Sequence, residues 1–149
     1  MDGMTDLERV SATMEIMRLK ARRDHALDMK DWNTYAGVHA PDHVSHHDGH
    51  SRWQSPGQVI ENLKVMLDGV TTVHQSHTPD IMFESPTKAK GVWSMEDNLS
   101  WKQGDEEHWL HGFGFYHETY EKREGVWLFT FRRLERIRVQ TSLGARLTR

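Results

Sequence analysis

Cysteine is absent from the 149 residues, which excludes disulfides, thiolate metal centres and cysteine nucleophiles. Long apolar runs are missing as well. No window approaches about eighteen residues, and the first twenty lack an apolar core behind a basic start, so neither a membrane span nor a secretory signal is expected. The resulting expectation is one cytoplasmic domain over residues 1–149, with 1–4 and 142–149 loose. GxGxxG and GxxxxGK(S/T) phosphate loops do not occur, and neither do HExxH or GxSxG. Net charge is only −3, so no global field draws nucleic acid. Arg132, Arg133, Arg136, Arg138, Arg146 and Arg149 do gather at the end of the chain. Without interleaved stacking aromatics they read as a solvated edge or as subunit salt bridges, and no nucleic-acid partner is expected.

What is present is organised around Glu107 to Val139. His111, Phe113, Phe115, His117 and Thr119 alternate with Gly112, Gly114, Tyr116, Glu118 and Tyr120. After a charged run ending at Gly125, Val126, Leu128 and Thr130 alternate with Trp127, Phe129 and Phe131. This predicts a long antiparallel hairpin turning at Gly125. Gly112 and Gly114 mark a bend or a close approach to the backbone. Further strands are expected over Thr71–His77, Ile81–Phe83 and Lys88–Trp101, with Pro79 at a strand edge or a break in the ladder. In the last of these, Trp93, Met95 and Leu99 share one face.

Helices belong to the first half. Thr5 and Glu8 form a capping box for a helix whose stripe is Leu7, Val10, Met14, Met17 and Ala21, flanked by Ile16 and Leu19. That helix breaks near Asp28, and Asp31 caps a short second helix running through Trp32, Tyr35 and His39 until Pro41. A third helix starts at Pro56-Gly57 and stops at Gly69, with Ile60, Leu63 and Leu67 as its apolar stripe. Between them, residues 42–56 read as a surface loop with at most short strands near Val44 and Trp53. His43, His46, His47 and His50 lie there, and a solvated loop without a native metal is the expectation. The order predicts an α+β domain: a strongly curved antiparallel sheet with three N-terminal helices over its concave face and a pocket between the layers.

The chemistry open to such a cysteine-free pocket is carboxylate, imidazole, hydroxyl and indole. Asp28 at a helix end and His74 on the first long strand are the preferred catalytic pair. A carboxylate that accepts the Nδ1 proton of an imidazole fixes its tautomer and leaves Nε2 as a base. His77, Asp80, His111 and His117 compete for that role. Tyr116 and Tyr120 share the parity of the two glycines and are candidates to donate a phenolic proton.

These residues carry a likeness. The run Leu19 to Trp32, with Leu27-Asp28 before Asp31-Trp32, resembles the opening of the SnoaL-like branch of the NTF2-like (cystatin-like) superfamily. Gly57 to Leu67, Gly91 to Asp97 and Gly114 to Arg133 resemble its third helix, its glycine-and-tryptophan strand and its ending. The likeness implies a cone of curved sheet closed by three helices. Through the scytalone dehydratase-like, bile-acid dehydratase-like and hexachlorocyclohexane dehydrochlorinase-like members, it implies an Asp–His dyad at Asp28 and His74 working without metal or organic cofactor. Arg23 stands where those relatives usually carry tyrosine; a guanidinium cannot be a general acid but can hold an anion. The function so implied is a cofactor-independent lyase or isomerase acting on a small to medium hydrophobic molecule. Arg23, Trp32, Tyr35, Trp53, Met82, Tyr116 and Tyr120 are its expected substrate-binding residues. A non-catalytic ligand- or partner-binding domain and a polyketide cyclase-like enzyme are the alternatives. A convex sheet face carrying Trp127 and Phe129 would be costly to leave wet, which predicts a homodimer or homotrimer.

Overall fold

A computed structural model describes residues 2–47 and 51–147. Three helices, α1 (Asp6–Asp28), α2 (Trp32–Gly37) and α3 (Pro56–Met66), accompany six strands. The strands are β1 (His39–His47), β2 (Ser51–Trp53), β3 (Thr71–Ser85), β4 (Lys88–Gln103), β5 (Glu106–Arg123) and β6 (Val126–Thr141). They form one curved sheet in the order β2-β1-β6-β5-β4-β3. All neighbours are antiparallel except β1 and β6, which run parallel, so the sheet is mixed. The meander β3 to β6 leaves the far edge of β6 unpaired, and the chain leaving α2 fills it. Pro41 therefore lies inside a strand and does not end a helix, and most of the expected 42–56 loop is sheet. His50 lies outside the described residues. No helix among the described residues is long and apolar enough to cross a membrane.

Local chemistry sets the boundaries. Thr5 and Glu8 make the expected capping box, Asp31 caps α2, and Ser55 with Pro56 starts α3. The β5–β6 turn uses Glu124 at φ 50° and Gly125 at φ 80°, the left-handed pair that a two-residue hairpin demands.

α1 buries a different face from the expected stripe. Ala12, Ile16, Leu19, Arg23 and Leu27 face the sheet together with Lys20 and Asp24, whereas Leu7, Val10, Met14 and Met17 are exposed. The stripe misleads because this helix packs partly on buried charge. Lys20 Nζ donates to Glu118 Oε1 at 2.5 Å, and Glu118 Oε2 accepts from the Tyr120 hydroxyl at 2.6 Å. Burial pulls the Lys20 ammonium down to about 8 against the attraction of Glu118 and Asp24.

Two apolar clusters fill the cone. Ile16, Leu19, Trp93, Met95, Tyr120, Trp127 and Phe129 pack beneath α1, and Leu27, Tyr35, Trp53, Val59, Leu63, Leu67 and Leu99 pack beneath α3. Trp127 and Phe129 thus belong to the concave core and not to the convex face. The aromatic rings left half-buried on the opposite parity are Phe113, Phe115 and Phe131. The ends are anchored more firmly than expected. Met4 packs against the first cluster and Asp2 pairs with Arg9. Ser142 Oγ bonds to His108 and to the Trp109 amide, while Ala145 and Leu147 pack against the second cluster.

Three of the sheet's register shifts decide which of the long strands' side chains face inward. β3 carries extra backbone between Ser76 and Pro79 relative to β4; β6 carries an extra residue at Thr130 and another at Ile137 relative to β5. Each reverses the alternation that follows it. Gly112 and Gly114 lie where β5 leaves no room for a side chain. A Cβ on Gly114 would lie 1.9 Å from the Glu135 carbonyl oxygen, and one on Gly112 would meet the Arg136 guanidinium at 1.9 Å.

Candidate functional site

Asp28 is the last residue of α1, and its carboxylate reaches across to β3. The His74 ring donates Nδ1–H to Asp28 Oδ1 at 2.6 Å, and the His74 amide donates to Oδ2 at 2.9 Å. The Thr72 hydroxyl donates to Oδ1 at 2.9 Å. Both carboxylate oxygens are therefore occupied, and Nε2 is the ring nitrogen left for another partner. The His74 side chain is 9% exposed and that of Asp28 21%.

His74 lines a cavity of about 80 Å³ between the sheet, α1 and α3. One wall is apolar, with Leu27, Trp53, Val59, Leu63, Leu99 and Leu147. The other carries Arg23, Asp97, Tyr116, Arg132 and Arg136. Arg136 forks onto Asp97 at 2.6 and 2.8 Å, the cross-strand neighbour of His74. Gly112, opposite Asp97 on β5, supplies the room for this pair. Burial alone would raise the Asp97 carboxyl, but the hydrogen bonds and charge of Arg136, aided by His74, hold it below the usual range. Arg23 donates to the Tyr35 hydroxyl at 3.0 Å and to Asp24 at 3.2 Å. Asp24 also accepts from Ser76 Oγ at 2.7 Å. Burial would raise that carboxyl too, yet Lys20, Arg23 and the Ser76 hydroxyl keep it low. The Arg132 guanidinium lies 4.0 Å from the centre of the Tyr116 ring, and its nearest carboxylate is Glu118 at 3.7 Å. Burial pushes the Tyr116 phenol above its ordinary range, with Arg132 pulling the other way, so its proton stays on.

Of the expected lining residues, Arg23, Tyr35, Trp53 and Tyr116 reach the cavity, and Trp32, Met82 and Tyr120 do not. Met82 is 59% exposed because the β3 irregularity turns Ile81 and Phe83 inward in its place. Tyr120 shares the parity of Tyr116 but lies four residues, roughly 13 Å, along the strand. There it bonds to Glu118 and accepts from Trp93 Nε1 at 2.7 Å. Trp32 packs edge-on against Tyr35 and borders a separate surface depression with Lys30 and Lys64. Arg136 and Leu147 line the cavity outside any motif, and Asp97 and Arg132 line it from within the family-like stretches Gly91 to Asp97 and Gly114 to Arg133, which mark strands and not site residues. The run of arginines suggests a solvated edge, but the bulge at Thr130 carries Arg132 and Arg136 inward.

The competing histidines lie elsewhere. His77 and His111 both donate to Glu96, at 3.1 and 2.7 Å, and His117 donates to Glu135 at 2.7 Å, all on the convex face. Asp80 is exposed. His43 is fully buried, donating Nδ1–H to the Phe129 carbonyl at 3.1 Å and accepting from Ser45 Oγ at 2.8 Å. Among the described residues, no group of three or more His, Asp or Glu side chains is placed to hold a metal ion.

A family model described as a SnoaL-like domain matches residues 8–133. The chain belongs to that family. Among solved structures, it resembles a type 2 hexachlorocyclohexane dehydrochlorinase (LinA) at 18% identity and TM-score 0.83, covering 97% of this chain and 98% of that one. A protein provisionally named scytalone dehydratase from Novosphingobium aromaticivorans DSM 12444 gives 18% identity and TM-score 0.83, covering 96% and 95%. LinA itself gives 20% identity and TM-score 0.79, covering 98% and 99%. At these identities the structures establish the NTF2-like fold of the SnoaL-like chain.

Proposed function

We propose that this SnoaL-like protein is a cofactor-independent lyase or isomerase in which His74, oriented by Asp28, withdraws a proton from carbon of a small hydrophobic substrate. The observation that carries this reading is the enclosure of a 2.6 Å Asp28–His74 contact at a mostly apolar cavity with cations on one wall. The electron pair released at carbon forms a double bond. A β leaving group then departs with its bonding electrons, or the proton returns to a different carbon.

Charge bookkeeping supports this. The cations Lys20, Arg23, Lys30, Arg132 and Arg136 outnumber Asp24, Asp28, Asp97 and Glu118 by one. That excess matches a departing anion or an enolate oxygen beside Arg23 and Arg132. Where the leaving group is hydroxyl, the protonated Tyr116 phenol is the available acid. Leu27, Trp53 and Leu63 keep the site dry and so strengthen these interactions.

The test is proton exchange and elimination measured on a panel of small β-halo and β-hydroxy compounds in deuterated water. Asp28→Asn and His74→Ala are expected to lower turnover by about 10³-fold; unchanged turnover in either would end the assignment. A second reading, a hydrophobic-ligand-binding domain, draws on the size of the cavity, which holds on the order of six waters. Ligand binding with no exchange or elimination on any member of the panel would favour it. The same volume lends no support to a polycyclase. We also propose that Phe113, Phe115 and Phe131 on the convex face pack against further copies of the chain, giving a dimer or trimer. A monomeric mass by light scattering would refute this.

A further inference from the structure

The turn that ends α1 is built on an unexpected residue. Met29 is the C-cap; the Lys30 amide donates to the Leu27 carbonyl at 3.1 Å and the Asp31 amide to the Ala26 carbonyl at 2.8 Å. This is the Schellman arrangement, which places the residue after the C-cap in the left-handed region and favours glycine there. The turn after α3 places a glycine in that region, Gly69 at φ 68°, two residues past the C-cap Leu67. α1 has lysine at φ 57°. A side chain held in that conformation is strained, and strain kept in place points to something the side chain does.

Lys30 Nζ donates to Thr72 Oγ1 at 2.9 Å, and Thr72 Oγ1 donates to Asp28 Oδ1 at 2.9 Å. An ammonium can only donate and a carboxylate can only accept, so the Thr72 hydroxyl accepts from Lys30 on one of its two lone pairs and gives its own proton to Asp28. Thr72 is buried, so water does not compete for that proton. Burial lowers the Lys30 pKa and Asp28 draws it back up, as expected of a cation half-enclosed beside a carboxylate.

We propose that Lys30 is a positioning residue, acting through the Thr72 hydroxyl to hold Asp28 in the orientation that keeps the proton of His74 on Nδ1. Its catalytic meaning rests on the proposed function, but the positioning is read without any substrate. In the wild type, the His74 Nδ1–H is expected to give a downfield nitrogen-bound proton resonance, to be assigned by its loss in His74→Gln. Lys30→Met and Thr72→Val are expected to speed its exchange with water at least about tenfold and to populate the Nε2–H tautomer. Thr72→Ser, which keeps the hydroxyl, is expected to restore the slow resonance. Lys30→Gly loses the relay but relieves the turn, so it should exchange as fast as Lys30→Met while melting about 3 °C higher. Wild-type exchange and tautomer in natively folded Lys30→Met and Thr72→Val would overturn the proposal, as would Lys30→Gly melting below Lys30→Met. Once a substrate is found, Lys30→Met is expected to lower kcat about tenfold with KM unchanged. Altered exchange with no proton abstraction on any substrate would sink the proposed function and leave the relay standing.

Discussion

The sheet carries imidazole–carboxylate pairs on both faces, and the two sets differ in almost everything except distance. On the convex face, His111–Glu96 and His117–Glu135 close to 2.7 Å, nearly the 2.6 Å of His74–Asp28. Yet the His117 and Glu135 side chains are 31% and 47% exposed, and Glu96 is shared with the still more exposed His77. Solvent there screens the charges and supplies competing hydrogen bonds. On the concave face, Asp28 is held by three donors and His74 meets an apolar wall. Contact distance does not distinguish a reactive pair from a surface pair; enclosure and the fixing of the carboxylate do.

Turnover offers the largest break in this comparison. Against the loss of about 10³-fold expected for Asp28→Asn, Glu96→Gln and Glu135→Gln are expected to stay within about twofold of wild type. Sensitivity on the convex side would show that enclosure is not the deciding property.

Acid gives the next largest effect. Burial brings the His43 pKa from 6.5 down to about 3, overcoming its bond to the Phe129 carbonyl. The unfolded chain therefore takes up this proton first. The contribution is neutral above about pH 6.5, and stability falls as pH drops from there towards 3, by on the order of 5 kcal/mol over the window. Buried His39, also driven well down by burial, adds in the same direction. Denaturant melts between pH 7 and 4.5 are expected to show a slope of at least about 1.4 kcal/mol per pH unit in the lower part of that range. His77→Gln and His117→Gln should leave the slope in place, whereas a flat profile would contradict the buried neutral rings.

Ion pairs sharpen the contrast at smaller scale. Asp97→Ala removes the two-bond fork to Arg136 beside the cavity and is expected to cost about 3 kcal/mol in a denaturant midpoint analysis. Glu84→Ala breaks the exposed Lys90–Glu84 pair and should cost under about 1 kcal/mol.

Much of the architecture is legible in the amino-acid sequence. Hairpin periodicity, the capping residues of α1 and α2 and the apolar stripe of α3 mark the elements and their order. Asp28 and His74 stand out by their places at a helix end and on a strand. Phase is what the sequence hides. Counting by twos from His74 turns Met82 inward, and counting by twos from Phe129 turns Arg133 inward. The irregularities after Ser76 and at Thr130 reverse both; Pro79 marks a break in the ladder at the first, but no residue near Thr130 announces an extra backbone unit. The α1 stripe fails for a different reason. Hydrophobic spacing assumes that the hidden face is apolar, and this one includes Lys20, Arg23 and Asp24, paired across layers that the sequence does not show as neighbours.

The bulge at Thr130 behaves like a shift in reading frame. Upstream of it β6 presents Trp127 and Phe129 to the core, and downstream it presents Arg132, Leu134 and Arg136. Pairing Thr130 in regular register would turn Phe131, Arg133 and Glu135 towards the cavity in their place. Deleting it would keep Arg132, Leu134 and Arg136 inward, because the frame shift goes with the residue that causes it. The bulge is thus how this strand takes in an extra residue without changing the charge of the pocket it lines.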